Sequence, residues 1–283
     1  LEFRRVLFRS LGLAVGSFLN VVITRLPRMM EREWSDAALA LAQEKGWTAP
    51  PTHDDRPAPM LSLSGPPSHC PACQTPIAWY HNIPLLGFAL LRGRCKACGQ
   101  TISWQYPTIE LVTALWFGAS FWCWGLSITA CAWMVWGATL IALGVIDART
   151  QYLPDALTQP LCWAGLIAAS LGWIAVDAQS ALLGAVAGYL LLYGVAAVFR
   201  RLRGIDGMGQ GDFKLLAALG AWMGWQSLSA LVLIASVLGL LHGGLRLKLR
   251  PDASPYFPFG PSLCLAAWAL VIWNRGQPMG WFP

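Results

Sequence analysis

Apolar runs about as long as a bilayer core is thick recur through the later two-thirds of this chain, and that recurrence leaves few architectures open. They cover Tyr106–Leu126, Ile128–Ile146, Leu157–Val176, Ala181–Phe199, Leu228–Leu245 and Phe257–Trp273, each close to the ~20 residues that carry a helix across the hydrocarbon. Phe213–Trp225 is shorter and reads as one more crossing or a half-helix. Over 283 residues, 56% are hydrophobic and only 12% charged, and the mean hydropathy is +0.50, outside the range of water-soluble domains. Strands at this spacing could not satisfy their backbone groups in lipid. The expected fold is an all-α, polytopic membrane helix bundle of about seven to eight transmembrane helices, with a small cytoplasmic insertion.

Four segments are expected. Residues 1–10, "LEFRRVLFRS", are basic and irregular and read as a foreign or non-native stretch. Residues 11–23 read as a truncated first membrane helix, too short to span alone; a secretory signal peptide competes, but no small-residue cleavage site follows. Residues 24–105 form a polar insertion, with an amphipathic helix at Met29–Gly46 and a proline-rich, irregular stretch from Thr48 to His69. Residues 106–283 form the membrane bundle.

Basic residues orient the chain. Arg25, Arg28, Arg32, Lys45, Arg56, Arg92, Arg94 and Lys96 precede the bundle, Arg149 follows one helix, Arg200, Arg201 and Arg203 another, and Arg246, Lys248 and Arg250 a third. The alternate connections, near Gly125, Asp177–Ser180 and Gln226, have no Lys or Arg. The positive-inside rule places the basic loops in the cytoplasm. The net charge of +6 follows from topology, and no nucleic-acid partner is required.

Within the insertion, Cys70, Cys73, Cys95 and Cys98 form two C-x-x-C pairs. That spacing lets two knuckles present four thiolates to one tetrahedral ion, usually structural zinc, with no position left open for catalysis. Two disulfides are disfavoured in a reducing cytoplasm, and a thioredoxin-like pair lacks its βαβ surroundings. Cys123, Cys131, Cys162 and Cys264 lie in apolar runs and read as packing residues.

Two aspartates stand out against this background. Asp147, in "GVIDARTQYLPD", ends one apolar helix on the cytoplasmic side, and Asp212, in "GMGQGDFKLLAALGAW", begins another on the same side. An ionised carboxylate at the edge of a low-dielectric region is costly and marks a candidate site. A close pair divides its labour, one carboxyl protonated and the other a base, as hydrolysis of an amide requires. Asp212 and Asp155 could instead be helix N-caps. Gly207, Gly209 and Gly211 weigh against that, since a plain cap needs no close backbone approach or unusual conformation. A nucleotide-binding glycine loop would need a preceding strand, which is absent. Lys214 either pairs with a neighbouring carboxylate or reaches toward lipid headgroups.

Taken together, "GSFLNVVITRLP", the paired C-x-x-C, "YHNIPLLGFALLRGRCKACGQTISWQYPTIELVTA", "LPDALTQPLCWAGL" and "GMGQGDFKLLAALGAW" resemble the signatures, in order, of the type IV prepilin peptidases, bifunctional leader peptidases and N-methyltransferases. The resemblance runs from Gly16 through nearly the whole chain. It implies that Asp147 and Asp212 are the catalytic aspartates, with Gly207, Gly209, Gly211 and Lys214 as the supporting loop and the four cysteines as the zinc motif. Where family members often carry a further acid two positions after the first aspartate, this chain has Arg149, which leaves the dyad intact.

The resemblance further implies cleavage of type IV prepilins or type II secretion pseudopilins at the cytoplasmic face of the bacterial inner membrane, after the leader glycine. It implies methylation of the exposed amine from S-adenosylmethionine. Such an amine, with a pKa of about 7.7–8.0, has a useful neutral fraction near neutral pH. No methyl-donor pocket can be read from the residues; the place expected for it is near Asn82 or Glu110. Two other classes compete: an ion- or proton-coupled transporter using the same aspartates, and a scaffold whose zinc knuckle recruits a cytoplasmic partner.

Overall fold

The computed structural model describes residues 2–47, 61–205, 207–249 and 258–274. Most of the proline-rich stretch, with Arg56 and Arg250, lies outside the described residues. The described chain is helical: α1 Glu2–Glu44, α2 Leu86–Leu90, α3 Gln105–Trp124, α4 Ile128–Thr150, α5 Asp155–Ser170, α6 Ala178–Arg203, α7 Gln210–Met223, α8 Leu228–Leu249 and α9 Gly260–Asn274. Among the described residues there is no strand, only two isolated antiparallel bridges, His69 with Pro76 and Arg94 with Thr101.

Among the described residues, four helices are long and apolar enough to cross a membrane: Leu7–Glu44, Ile128–Thr150, Ala178–Arg203 and Trp225–Arg246, with α9 shorter but apolar. Their outward faces are apolar too. Leu182, Leu190 and Val198 on α6 and Leu233 and Leu240 on α8 are exposed, a surface that water would not tolerate and lipid would cover.

α1 departs from expectation. The span read at 11–23 and the separate amphipathic helix read at 29–46 are one continuous helix, which runs through Pro27. A proline inside a helix removes one amide donor, and here it does not end the element. Tertiary contacts divide the chain into two compact units, residues 10–114 and residues 1–9 with 115–283.

In the unit of residues 10–114, α1 meets α3 at Gly16, where a Cβ would lie 2.7 Å from the Glu110 Cα. Asn20 Nδ2 donates to the Tyr106 carbonyl at 3.1 Å, and the Arg25 guanidinium donates to the carbonyls of Ser62 at 2.8 Å and Pro66 at 2.6 Å. A one-turn 3-10 helix, Trp79–Asn82, leads to α2.

The larger unit is held by close helix packing. α4 is started by Ser127, whose hydroxyl accepts from the Ala130 amide. α6 is started by Asp177, which accepts from Ser180, and ends at a left-handed Gly204 after three arginines, cations placed where the helix dipole favours them. α7 packs against α5, α6 and α9 and is buried almost throughout. On α6 and α7, Gly184 and Gly220 face one another so closely that a Cβ on either would strike the other's carbonyl, and Gly188 sits against the Leu216 carbonyl. Small residues at this spacing are how membrane helices bring their backbones together. Among the most deeply buried side chains of this unit are Trp133, Trp136 and Trp222 with Leu215, Leu219 and Leu263. Trp222 Nε1 donates to the Leu161 carbonyl at 2.8 Å and Trp116 Nε1 to that of Trp133 at 2.7 Å, so the Trp222 and Trp116 indoles bury their area and satisfy their N–H groups together.

Gly184→Leu should therefore force α6 off α7, whereas Gly194→Leu, where a Cβ meets nothing within 4 Å, should be tolerated. The expected difference, about 1–3 kcal/mol or more for overpacking, is read as a drop in apparent unfolding temperature in detergent for the first variant alone.

Candidate functional site

α4 places Asp147 three residues before its last residue, Thr150, and α7 places Asp212 third in its first turn. Both are buried, at 4% and 9% exposure, and they stand within electrostatic reach of one another. The structure thus brings together the two carboxylates that the sequence singles out.

Their partners differ. Asp147 Oδ2 accepts from the backbone N–H of Gly260 at 3.0 Å. Gly260 opens α9, so this is one of the amides that a helix N-terminus leaves free, and a Cβ there would lie 2.6 Å from the same oxygen. Sequence reasoning missed Gly260. The available signal was a glycine between Phe259 and Pro261 at the head of an apolar run, but 113 residues separate it from Asp147. Asp212 Oδ1 is buried and has no hydrogen-bond partner among the described residues.

The capping alternatives fail on geometry. The N-cap of α7 is Gly209, with no side-chain bond, and Asp212 lies inside the helix. α5 is preceded by Pro154 at its cap, and Asp155 is the first helical residue. The Asp155 side chain is engaged instead by Lys214 Nζ at 2.7 and 2.8 Å, so of the two alternatives for Lys214 the structure takes the carboxylate.

Of the three glycines, two serve close approach: a Cβ on Gly207 would lie 2.6 Å from the Phe199 ring, and one on Gly211 2.8 Å from Leu153 Cβ. Gly209, with φ −72° and ψ 143°, has a backbone any residue adopts, so an unusual conformation is not its reason. The packing reading of the remaining cysteines holds for Cys264, which is buried within electrostatic reach of both carboxylates, and Cys162 is half-buried. Cys123 and Cys131 are exposed; an apolar run does not say which helix face turns outward.

In the unit of residues 10–114, the four knuckle sulfurs lie within 4.8 Å of one another. Cys70 Sγ is 3.8 Å from Cys98 Sγ, and Cys73 Sγ is 3.9 Å from Cys95 Sγ. A tetrahedral ion with bonds of about 2.3 Å needs sulfurs about 3.8 Å apart, so the set can hold a metal ion. The two knuckles fold alike. Cys70 N bonds Thr75 O and Gln74 N bonds Cys70 O, and in the second knuckle Cys95 N bonds Gln100 O and Gly99 N bonds Cys95 O. Gln74 and Gly99 take the left-handed turn in each. Hydrogen bonds with the Thr75 side chain and backbone hold the Cys73 thiol down to about 6, whereas the Cys98 thiol of the same cluster is pushed up to about 11. In the same unit Glu110 is buried and its Oε2 accepts from the Leu85 amide at 2.8 Å. Asn82 is exposed, and the buried Asn20 Oδ1 has no partner among the described residues.

Comparison with known proteins agrees with this division. Residues 10–124 match the bacterial peptidase A24 N-terminal domain, and residues 134–244 match the type IV leader peptidase family. The chain is 45% identical over 264 residues to a prepilin leader peptidase/N-methyltransferase of Neisseria gonorrhoeae, covering 93% of this chain and 88% of that one. It is 44% identical to proteins of the same name from Pseudomonas aeruginosa, over 93% of this chain and 88% of that one, and from Dickeya chrysanthemi, over 93% and 90%. No solved structure matches the chain.

A buried carboxyl oxygen without a donor is a cost to folding. Asp212→Asn should leave the unfolding midpoint unchanged or raise it by a few degrees. A fall worth about 1 kcal/mol, the usual loss for a removed cap, would return Asp212 to a structural role.

Proposed function

This chain belongs to the type IV leader peptidase family, and from that premise we propose how its residues divide the work. It is an enzyme that removes the leader peptide of a prepilin and methylates the amine so exposed, the two activities that its relatives' names carry. Asp147 and Asp212 carry the hydrolysis. The observation that supports this most directly is two buried carboxylates within electrostatic reach of one another, on helices that need neither for capping.

One carboxyl of a close pair holds a proton while the other is free to act as base. Gly260 N–H already donates to Asp147, which suits Asp147 to take a proton from the attacking water. Asp212 Oδ1 has no donor among the described residues, and a protonated Asp212 fits that gap and can protonate the leaving amine. The water's oxygen bonds the scissile carbonyl carbon, the C–N bond breaks, and the pair ends with its proton count unchanged. The run of basic loops supports a site at the cytoplasmic face of the bacterial inner membrane, with lipid around the bundle and the shorter helices as the further crossings of a seven- or eight-helix bundle. A substrate with a cytoplasmic leader and an apolar first helix, whether pilin or type II secretion pseudopilin, brings its scissile bond to that face.

Cys70, Cys73, Cys95 and Cys98 are the residues that would hold a zinc ion, whose role with four thiolate ligands would be structural. S-adenosylmethionine, when bound, supplies an electrophilic methyl group to the new N-terminus. Glu110 and Asn20 Oδ1 are the acceptors suited to its amino group or to the substrate amine, with Asn82 on the nearby turn.

Mass spectrometry of a co-expressed prepilin should show a shortened, N-methylated product with the wild-type chain. Asp147→Asn and Asp212→Asn should each leave the leader attached, with cleavage down at least about 10³-fold; processing in both variants would remove the dyad from the reaction. Metal analysis should find about one zinc per chain. Cys95→Ser should lose that zinc and open residues 61–105 to protease, whereas an unchanged metal content would place the zinc elsewhere.

A further inference from the structure

The segment after Asp147 is built as a strut to the helix of Asp212. α4 ends at Gln151, which takes a left-handed backbone (φ 55°) and donates its N–H to the Asp147 carbonyl at 2.8 Å. The chain then crosses Tyr152, Leu153 and Pro154. Leu153 is 4% exposed and presses on Gly211 so closely that a Cβ there would lie 2.8 Å away. α5 starts at once with Asp155, and Pro154 O accepts from the amides of Leu157 and Thr158. Both oxygens of Asp155 contact Lys214 Nζ, at 2.8 and 2.7 Å. Gly211 and Lys214 flank Asp212 on the first turns of α7. Only seven residues therefore separate one aspartate from the fastening that ties it to the helix of the other.

We propose that the Asp155–Lys214 ion pair, with Leu153 seated on Gly211, is a positioning device that sets the spacing of Asp147 and Asp212 in the assembled dyad. This inference rests on those two aspartates carrying the hydrolysis. The pair is partly exposed, at 31% for Lys214 and 44% for Asp155, so it adds little to folding. It is also short and two-pronged, and it joins the two elements whose relative placement the reaction needs fixed. A misplacement of about 1 Å at a reacting group costs about 10²-fold in rate. The device accordingly acts on kcat rather than on stability or on substrate affinity.

The test uses the full chain in proteoliposomes with a purified prepilin, measuring kcat, KM and unfolding midpoint for Lys214→Met, Asp155→Asn, their double variant, Lys214→Arg and the reversed pair Asp155→Lys with Lys214→Asp. Asp147→Asn and Asp212→Asn are run beside them. The expected result is a kcat lowered by about 10- to 100-fold in each single variant, with KM within about twofold and the midpoint unchanged. The double variant should be no slower than the slower single one, because both break one link, and Lys214→Arg should recover most of the rate.

An unchanged kcat would overturn the proposal. So would a raised KM at constant kcat, which would make the pair a substrate contact, or a midpoint that falls in every variant including Lys214→Arg, which would make it purely structural. If the two aspartate variants still cleave, the hydrolytic assignment itself has failed, an outcome distinct from failure of the strut.

Discussion

The backbone contact between α6 and α7 is what the rest of the larger unit depends on. α7 has only 14 residues, about 21 Å of helix against a hydrocarbon core of about 30 Å, so it is not a self-sufficient crossing. It is kept as the innermost element because Gly184 and Gly188 let α6 lie on the backbone of Leu216 and Gly220. In lipid no hydrophobic force draws helices together, and close van der Waals approach takes its place. With α5 and α9 on its other sides, α7 has no lipid-facing surface to speak of, and its third residue, Asp212, is enclosed as a consequence.

That enclosure explains why so few groups make up the site. Burial removes water from around two carboxylates and strengthens every charge interaction between them. A chain that only needed to be stable would have placed apolar residues there. Instead α9 turns its first amide on Asp147 and leaves room by having no side chain at Gly260. The α9 terminus thus supplies a fixed dipole without introducing a third charge, while Asp212 is left to complete its own hydrogen bonding. The asymmetry of the dyad comes from which helix end happens to face which carboxylate.

What could be read from the sequence follows the range of the interactions involved. The helices were legible because membrane burial acts residue by residue and leaves apolar runs, and Asp147 and Asp212 were legible because a carboxylate in such a run is an anomaly. The knuckles were legible because a metal needs its ligands at fixed short spacing. The continuity of α1 through Pro27 was not, because helix propensity at one residue says end while the surrounding helix carries through. Gly260 and the Asp155–Lys214 pair depend on contacts across 113 and 59 positions, and nothing local distinguishes them from an ordinary helix start and an ordinary surface lysine. The outward faces of Cys123 and Cys131 depend on helix rotation, which an unbroken apolar run does not encode.

The placement of the acids also favours hydrolysis over transport as their proposed role. A coupled transporter binds its ion near the bilayer midplane, at a break in a helix, so that the site can be opened to either side. Here Asp147 lies in the last turn of α4 and Asp212 in the first turn of α7, and both helices run unbroken away from the pair. Beyond Asp212, α7 presents Leu215, Leu216, Leu219 and Trp222, each almost wholly buried, with its two glycine contacts filled by the α6 backbone. Opening a path from the dyad to the far face would have to pull apart the contact on which the unit is built. A reaction confined to one face needs no such movement: in the proposed reading the substrate's scissile bond would come to the helix ends, where the two carboxylates lie.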